Sequence, residues 1–227
     1  MGVVVVAAGR GRRLGGGAPK QFQLIAGVPM VLRAIRPFAS HPEVARVVLV
    51  LPAEDAAAPP DFVRVLAEGG LRVVAGGAER ADSVAAGLAA LDPECTTVLV
   101  HDAARPFVER AVIDAVIAHA RAGEGAVAAV PVSDTLKQAA ADDATRVART
   151  VPRDGLWRAQ TPQGFPRAVL ERAYAAAMPG PGGATDDAAL VERTGVPVRL
   201  VPDSPRNLKI TTPADLALAE LLAGRGE

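Results

Sequence analysis

Between a run of valines and a helical pattern, the chain reads AAGRGRRLGGGAPKQF over residues 7–22. Five of these sixteen residues are glycine and four are cationic. Glycine lets backbone N–H groups come close to an oxyanion, and cations neutralise its charge. The chemistry that this composition serves is the cradling of a polyphosphate. Arg13 and Lys20 flank the glycine turn, Gly9 and Gly11 open it, and Pro19 stiffens the approach to Lys20. The pattern is not the dinucleotide fingerprint, which runs from G-x-G-x-x-G straight into a helix, nor a P-loop, which needs G-K-[ST]. A solvated surface loop would account for the glycines but would not require the cations.

Three further stretches carry candidate chemistry. GGAERADSVAAGL, residues 76–88, closes a strand and opens a helix. Its glycines allow backbone groups to face a flat base edge, and Asp82 or Ser83 is a plausible helix N-cap. VLVHDAARPFV, residues 98–108, ends a buried strand in His-Asp. A carboxylate at the carboxyl end of such a strand is poised for a metal ion or a ribose hydroxyl, which makes Asp102 the metal-side candidate. His101 reads as a satisfied core histidine, and Arg105 as a phosphate contact or a partner of Asp102. In RNLKITTPADLALAELL, Lys209 sits between two apolar residues and points away from them, because side chains alternate along extended chain. That side is either solvent or the ligand crevice.

The whole composition narrows the classes. Lysine plus arginine equals aspartate plus glutamate at 25 each, so the net charge is zero. A nucleic-acid binder usually shows a basic excess, and none is expected here. The single Cys95 excludes an internal disulfide and any cysteine metal cluster, and reads as a packing residue. The opening apolar run is too short for a signal peptide or a membrane span, so a cytoplasmic protein without membrane attachment is expected. Only Lys20, Lys137 and Lys209 are lysines; the other basic residues are arginine. Lysine is a compact point charge suited to phosphate oxygens, so these positions invite inspection.

The elements that must position these residues alternate in type. Short aliphatic runs at 3–7, 46–51, 71–75, 97–100, 126–130, 198–201 and 208–210 read as strands. Helical patterns occupy 29–38, 62–68, 83–91, 110–121, 166–178, 186–194 and 214–222. This alternation predicts an α/β fold, a mostly parallel twisted sheet with helices on both faces, formed by a single domain over residues 1–227. Residues 132–163 break the rhythm. Two weak alternating stretches, 134–138 and 146–151, surround the polar turn AADDAT. They predict a protruding β-hairpin arm with little core of its own, for which a second copy of the chain is the simplest partner surface.

Taken together and in this order, these stretches resemble the 2-C-methyl-D-erythritol 4-phosphate cytidylyltransferases of the non-mevalonate isoprenoid pathway. The resemblance rests on AAGRGRRLGGGAPKQF, GGAERADSV, HDAARP, PVSDTLK, TVPRDGLWRAQTPQGF, TDDAALVE and NLKITTPADL, and so covers nearly the whole chain. It implies a Rossmann-like nucleotidyltransferase, a homodimer joined through the hairpin arm, CTP with Mg²⁺, and CDP-methylerythritol and pyrophosphate as products. By motif position, Arg13 and Lys20 would hold the triphosphate and Lys209 would sit by the α-phosphate and the incoming phosphate. Ala7, Ala8, Gly9, Gly11, Gly77 and Ser83 would frame the nucleotide. Asp102 would lie near metal and sugar, with Ala103 and Arg105 beside it. Thr135, Arg153 and Thr161 would reach the methylerythritol phosphate from the partner's arm, Arg153 with a catalytic part, and Thr185 from the home subunit. Two positions depart from the family pattern: Ala78, where many members have Asp, and Arg10, a cation in place of an uncharged residue. Some members carry a second, cyclodiphosphate synthase domain; this chain ends at Glu227, so a monofunctional protein is expected. Two rival readings share these residues, a cytidylyltransferase acting on ribitol 5-phosphate or another polyol phosphate, and a non-catalytic nucleotide sensor.

Overall fold

A computed structural model of the protein describes residues 1–9, 19–177 and 186–224. Valine-rich β1 (Gly2–Val6) is an interior strand of a sheet of seven described strands, and its side chains divide between two cores. Val3 and Val5 face one cluster while Val4 faces the other, as the period of two requires. The first cluster is covered by α1 (Met30–Ala39), α3 (Asp61–Glu68) and α5 (Arg110–Arg121) through Ile35, Phe38, Val63 and Ile113. The second is covered by α4 (Arg80–Ala89), α6 (Arg167–Ala176) and α7 (Asp187–Glu192) through Val84, Leu88, Leu170 and Val191. Both cores are largely aliphatic, as the scarcity of aromatic residues demands.

Beside β1 stand β4 (Arg46–Leu51) and β6 (Thr97–Asp102), both parallel to it, and β5 (Arg72–Ala75) extends the sheet beyond β4. Beyond β6 come β10 (Trp157–Pro166), β7 (Gly125–Pro131) and β11 (Val198–Pro202). β10 runs antiparallel to both neighbours, while β11 and β7 are parallel. The sheet is therefore mostly parallel, with one reversed strand inserted. Because β4 and β6 flank β1 on opposite sides, the chain reverses its winding at the end of β1. Open α/β sheets form their ligand crevice at such a point.

The expected arm exists but is shorter than 132–163. β8 (Leu136–Ala139) pairs antiparallel with β9 (Val147–Val151), and both are largely exposed. From Trp157 onward the chain has returned to the sheet as β10, so the last part of the expected arm belongs to the core. The expected strand at 208–210 is also corrected. That segment has no regular secondary structure and joins no described sheet; the Ile210 N–H donates to the Ala104 carbonyl at 2.9 Å. Smaller elements escaped the sequence reading: the 3₁₀ turn Lys20–Phe22, the ribbon β2 (Leu24–Ile25) with β3 (Val28–Pro29), and α2 (Ala53–Ala57). α8 (Pro213–Ala223) closes a third, small cluster with Ile25, Met30 and Ile210.

Candidate active site

The carboxyl ends of β1, β4, β5 and β6 open onto one cleft of about 750 Å³, within the size range of small-molecule sites. Ala7, Ala8 and Gly9 follow β1 along its wall, and Gly77 and Ser83 follow β5. Asp102 ends β6 and Ala103 follows it, and Lys20 and Lys209 also line the cleft. All nine were expected at the nucleotide or the reacting phosphates. Gly76 is required by close approach: a Cβ there would stand 2.5 Å from the Ala8 Cβ. A Cβ on Gly77 would collide with that of Asp82. Bare backbone therefore forms the flat wall between the ends of β1 and β5. The helix start differs from expectation. Glu79 flanks α4, and Asp82, inside the helix, accepts from the Glu79 N–H at 3.0 Å. Ser83 lies within α4, buried, donating to the Glu79 carbonyl at 3.2 Å.

A second, smaller cleft of about 250 Å³ adjoins the first. Arg105, Thr161, Gln160 and Gln163 line it. Among the described residues, Arg80, Asp102 and Lys209 line both clefts. The junction is thus one carboxylate between two cations. Lys209 Nζ donates to Asp102 Oδ2 at 2.7 Å, and Arg80 Nε to Oδ1 at 3.3 Å. Burial would raise the Asp102 pKa, but Arg80 and Lys209 outweigh it and hold the carboxyl well below its usual range. Burial would likewise lower the Arg80 pKa, and Asp187 with Asp102 holds it above its usual range.

Lys209 is aimed by its neighbours. Leu208 and Ile210 both pack into the third small cluster, so Lys209 between them turns outward to line the cleft. Asn207 Nδ2 donates to the Thr161 carbonyl at 2.8 Å and to Asp203 Oδ2 at 2.6 Å. Its own carbonyl accepts from Arg105 Nη1 at 2.7 Å and from Gln160 Nε2 at 2.9 Å. This lattice fixes the Lys209 segment against β10. Arg105 is therefore a buried tie to that segment that also lines the smaller cleft.

Thr161 is placed differently from the expectation that it arrives from a partner's arm. It is buried in β10 of its own fold, and its Oγ1 accepts from the Asp102 N–H at 3.0 Å. The hydroxyl is also 3.0 Å from His101 Nδ1. His101 Nε2 must donate to the Arg105 carbonyl, 2.9 Å away, so Nδ1 is the acceptor of the Thr161 O–H. His101 is fully buried, and burial pushes its pKa down to about 4. It is a neutral core histidine, as its sequence context implied.

Thr135 and Arg153 lie on the exposed arm and line neither cleft; Arg153 donates to the Ser133 carbonyl. Lys137, the third lysine, is also on the arm, donating to Thr150 Oγ1 at 2.7 Å. Gly11, Arg13 and Thr185, and the departure at Arg10, lie outside the described residues. Arg80, Asn207, Gln160 and Gln163 were not singled out from sequence. Arg80 stood inside the quoted Gly-rich stretch, where a cation beside glycines was a usable signal.

Among the described residues no group of three or more His, Cys, Asp or Glu could hold a metal ion. Mg²⁺ does not need one: it commonly binds through one or two carboxylates, water and substrate phosphates. One buried carboxylate on the cleft fits an ion that would arrive with a phosphate ligand, and does not fit a resident metal cage.

The family model for 2-C-methyl-D-erythritol 4-phosphate cytidylyltransferase matches residues 1–225. The chain belongs to that family. A cytidylyltransferase of this name from Frankia casuarinae is 47% identical over 98% of this chain and 80% of its own length. The crystal structure of the Thermus thermophilus cytidylyltransferase aligns with a TM-score of 0.78 at 37% identity, covering 98% of each chain. That of 4-diphosphocytidyl-2C-methyl-D-erythritol synthase from Anaerococcus prevotii aligns with a TM-score of 0.83 at 27% identity, covering 99% of this chain and 98% of the other. These two solved structures share the fold over nearly the whole chain.

Proposed function

We infer that this protein transfers the cytidylyl group of CTP to 2-C-methyl-D-erythritol 4-phosphate, releasing pyrophosphate. The observation that carries this reading is the junction: Lys209 and Asp102 border two adjoining clefts, the larger walled by bare backbone and entered by Lys20. A nucleotide in the larger cleft and a polyol phosphate in the smaller would bring their phosphates together there.

The nucleophile, a phosphate monoester, is already largely dianionic near neutral pH, with a second pKa of about 6. It needs no general base, and His101, neutral and locked by two hydrogen bonds, is not available as one. The barrier is electrostatic, two polyanions held in line while charge moves onto the leaving pyrophosphate. Lys20 and Lys209, both lining the cleft, answer that charge, and Arg13 joins them by motif position. Lys209 has three N–H donors on a flexible stem, so it can offer them to phosphate oxygens. Asp102 would hold Mg²⁺ with the triphosphate. When bound, the ion neutralises phosphate charge and orients the groups.

A homodimer is part of the same proposal. Thr135 and Arg153 lie on an arm whose Val147 is 55% exposed, and a hairpin burying so little is stabilised by packing on another surface. Thr185 would serve the polyol phosphate by motif position. No helix among the described residues is long and apolar enough to cross a membrane, and the polar substrates make the cytoplasm the expected compartment. The test is pyrophosphate release with CTP, ATP, GTP or UTP, each offered methylerythritol phosphate or ribitol 5-phosphate with Mg²⁺. Release with CTP and methylerythritol phosphate alone is expected. Preference for ribitol 5-phosphate would move the protein to another polyol, and release in no combination would contradict catalysis.

A further inference from the structure

Arg80 borders both clefts, yet the transfer as described leaves it without a part. It begins α4, and its guanidinium spans two carboxylates. Nη2 donates to Asp187 Oδ2 at 2.8 Å, and Nε reaches Asp102 Oδ1 at 3.3 Å. Asp187 is fully buried on α7, and its other oxygen accepts from the Tyr174 hydroxyl of α6 at 2.5 Å. A continuous chain therefore runs from Tyr174 through Asp187, Arg80 and Asp102 to Lys209.

The two cations on Asp102 are held very differently. Arg80 is anchored from the interior by a carboxylate that itself has a second partner. Lys209 comes from the cleft with 44% of its side chain exposed. The Asp102 side chain is only 8% exposed, so stripping it of every counter-ion would be strongly unfavourable. With Arg80 in place, Lys209 can shift toward a phosphate without stranding a buried carboxylate. Without Arg80, Lys209 is the one cation bonded to Asp102 among the described residues, and it is held there.

Building on the cytidylyl-transfer reading, we propose that Arg80 is a positioning residue, the fixed counter-ion of Asp102 that frees Lys209 to follow the reacting phosphates. A guanidinium fork suits this task because it meets two carboxylates at once, which a lysine ammonium at the same place does less well.

The test is a double-mutant cycle of Arg80→Lys and Lys209→Ala, with kcat, KM for CTP, calorimetric CTP affinity and melting temperature measured for each protein. Arg80→Lys keeps the charge opposite Asp187, so the fold is expected to survive. Its kcat is expected to fall at least about tenfold, while the KM and Kd for CTP stay within about threefold of wild type. In the Lys209→Ala background the same change is expected to cost less than about threefold more, because the residue it acts through is gone. Losses that multiply, or an Arg80→Lys protein with wild-type kcat, would overturn the proposal. If Arg80→Lys melts early, Arg80→Gln/Asp187→Asn removes the interior charge pair as a unit. Wild-type kcat in that folded double variant would assign Arg80 to α7 alone, and a slow, folded one would support the proposal. Should Lys209→Ala itself keep full kcat, the part given to Lys209 in the transfer fails, whatever Arg80 does.

Discussion

Burial and charge pull in opposite directions on adjacent residues of β6. At His101 burial dominates: its pKa falls to about 4, against an ordinary value of 6.5. Between those values the unfolded chain takes up a proton that the folded chain refuses. Stability should therefore fall as pH drops from 6.5 to 4, by roughly 3 kcal/mol from this residue. Asp102 adds to the loss lower down. Its folded pKa lies below the ordinary 3.8, so its stabilising contribution is present above that value and is lost as pH falls further. Urea midpoints at pH 7 and 4.5, with the His101 ring followed by NMR, check this; a ring that titrates near 6.5 would contradict it. Lys209→Ala is expected to lower kcat by about a hundredfold or more while leaving the fold intact, because the residue is exposed and its loss leaves Asp102 with Arg80. Unchanged steady-state rates would remove it from the reaction. At this scale the sequence was informative where residue type was unusual. Two of three lysines in an arginine-rich chain stand in the cleft. Asn207 and Gln160 gave no such signal, because their value lies in partners far along the chain.

At the scale of elements, the aliphatic runs and the helical patterns identified most of the sheet and its covering layers, because a hydrophobic period is a local property. β10 was missed for the opposite reason. Its segment WRAQTPQ is polar, and a polar strand reads as exposed. Its Gln160, Thr161 and Gln163 are nevertheless buried, and each hydrogen-bonds to another segment, through Asn207, His101 and Asp186. The 208–210 stretch failed differently. The expected alternation holds and Lys209 does face the cleft, but backbone partners come from a loop, not a strand. A strong local signal stands just beyond it: Thr212 accepts from the Asp215 N–H at 3.2 Å, and Asp215 accepts from the Thr212 N–H at 2.8 Å. This capping box starts α8 a few residues after Lys209. Thr212→Ala should cost about 1 kcal/mol in chemical denaturation, and no measurable loss would show that α8 is held by packing alone.

For the molecule as a whole, six parallel strands and one reversed strand bring segments from both halves of the chain to one edge. That convergence is topological, so sequence could expect it only through the alternation of elements and the family resemblance. The arm is the part that a single chain leaves unfinished, with Thr135 and Arg153 away from either cleft. If the arm completes a partner's site, Arg153→Ala and Lys20→Ala subunits, each inactive alone, should regain part of the activity when mixed and allowed to exchange. Demonstrated exchange without recovery would confine each site to one chain. The transfer itself is tested most directly by ³¹P NMR of CTP and methylerythritol phosphate incubated with the protein and Mg²⁺. Pyrophosphate and an unsymmetrical diphosphate diester should appear together in equal amounts as both substrates disappear. Pyrophosphate accompanied by CMP, or no change in the spectrum, would contradict cytidylyl transfer.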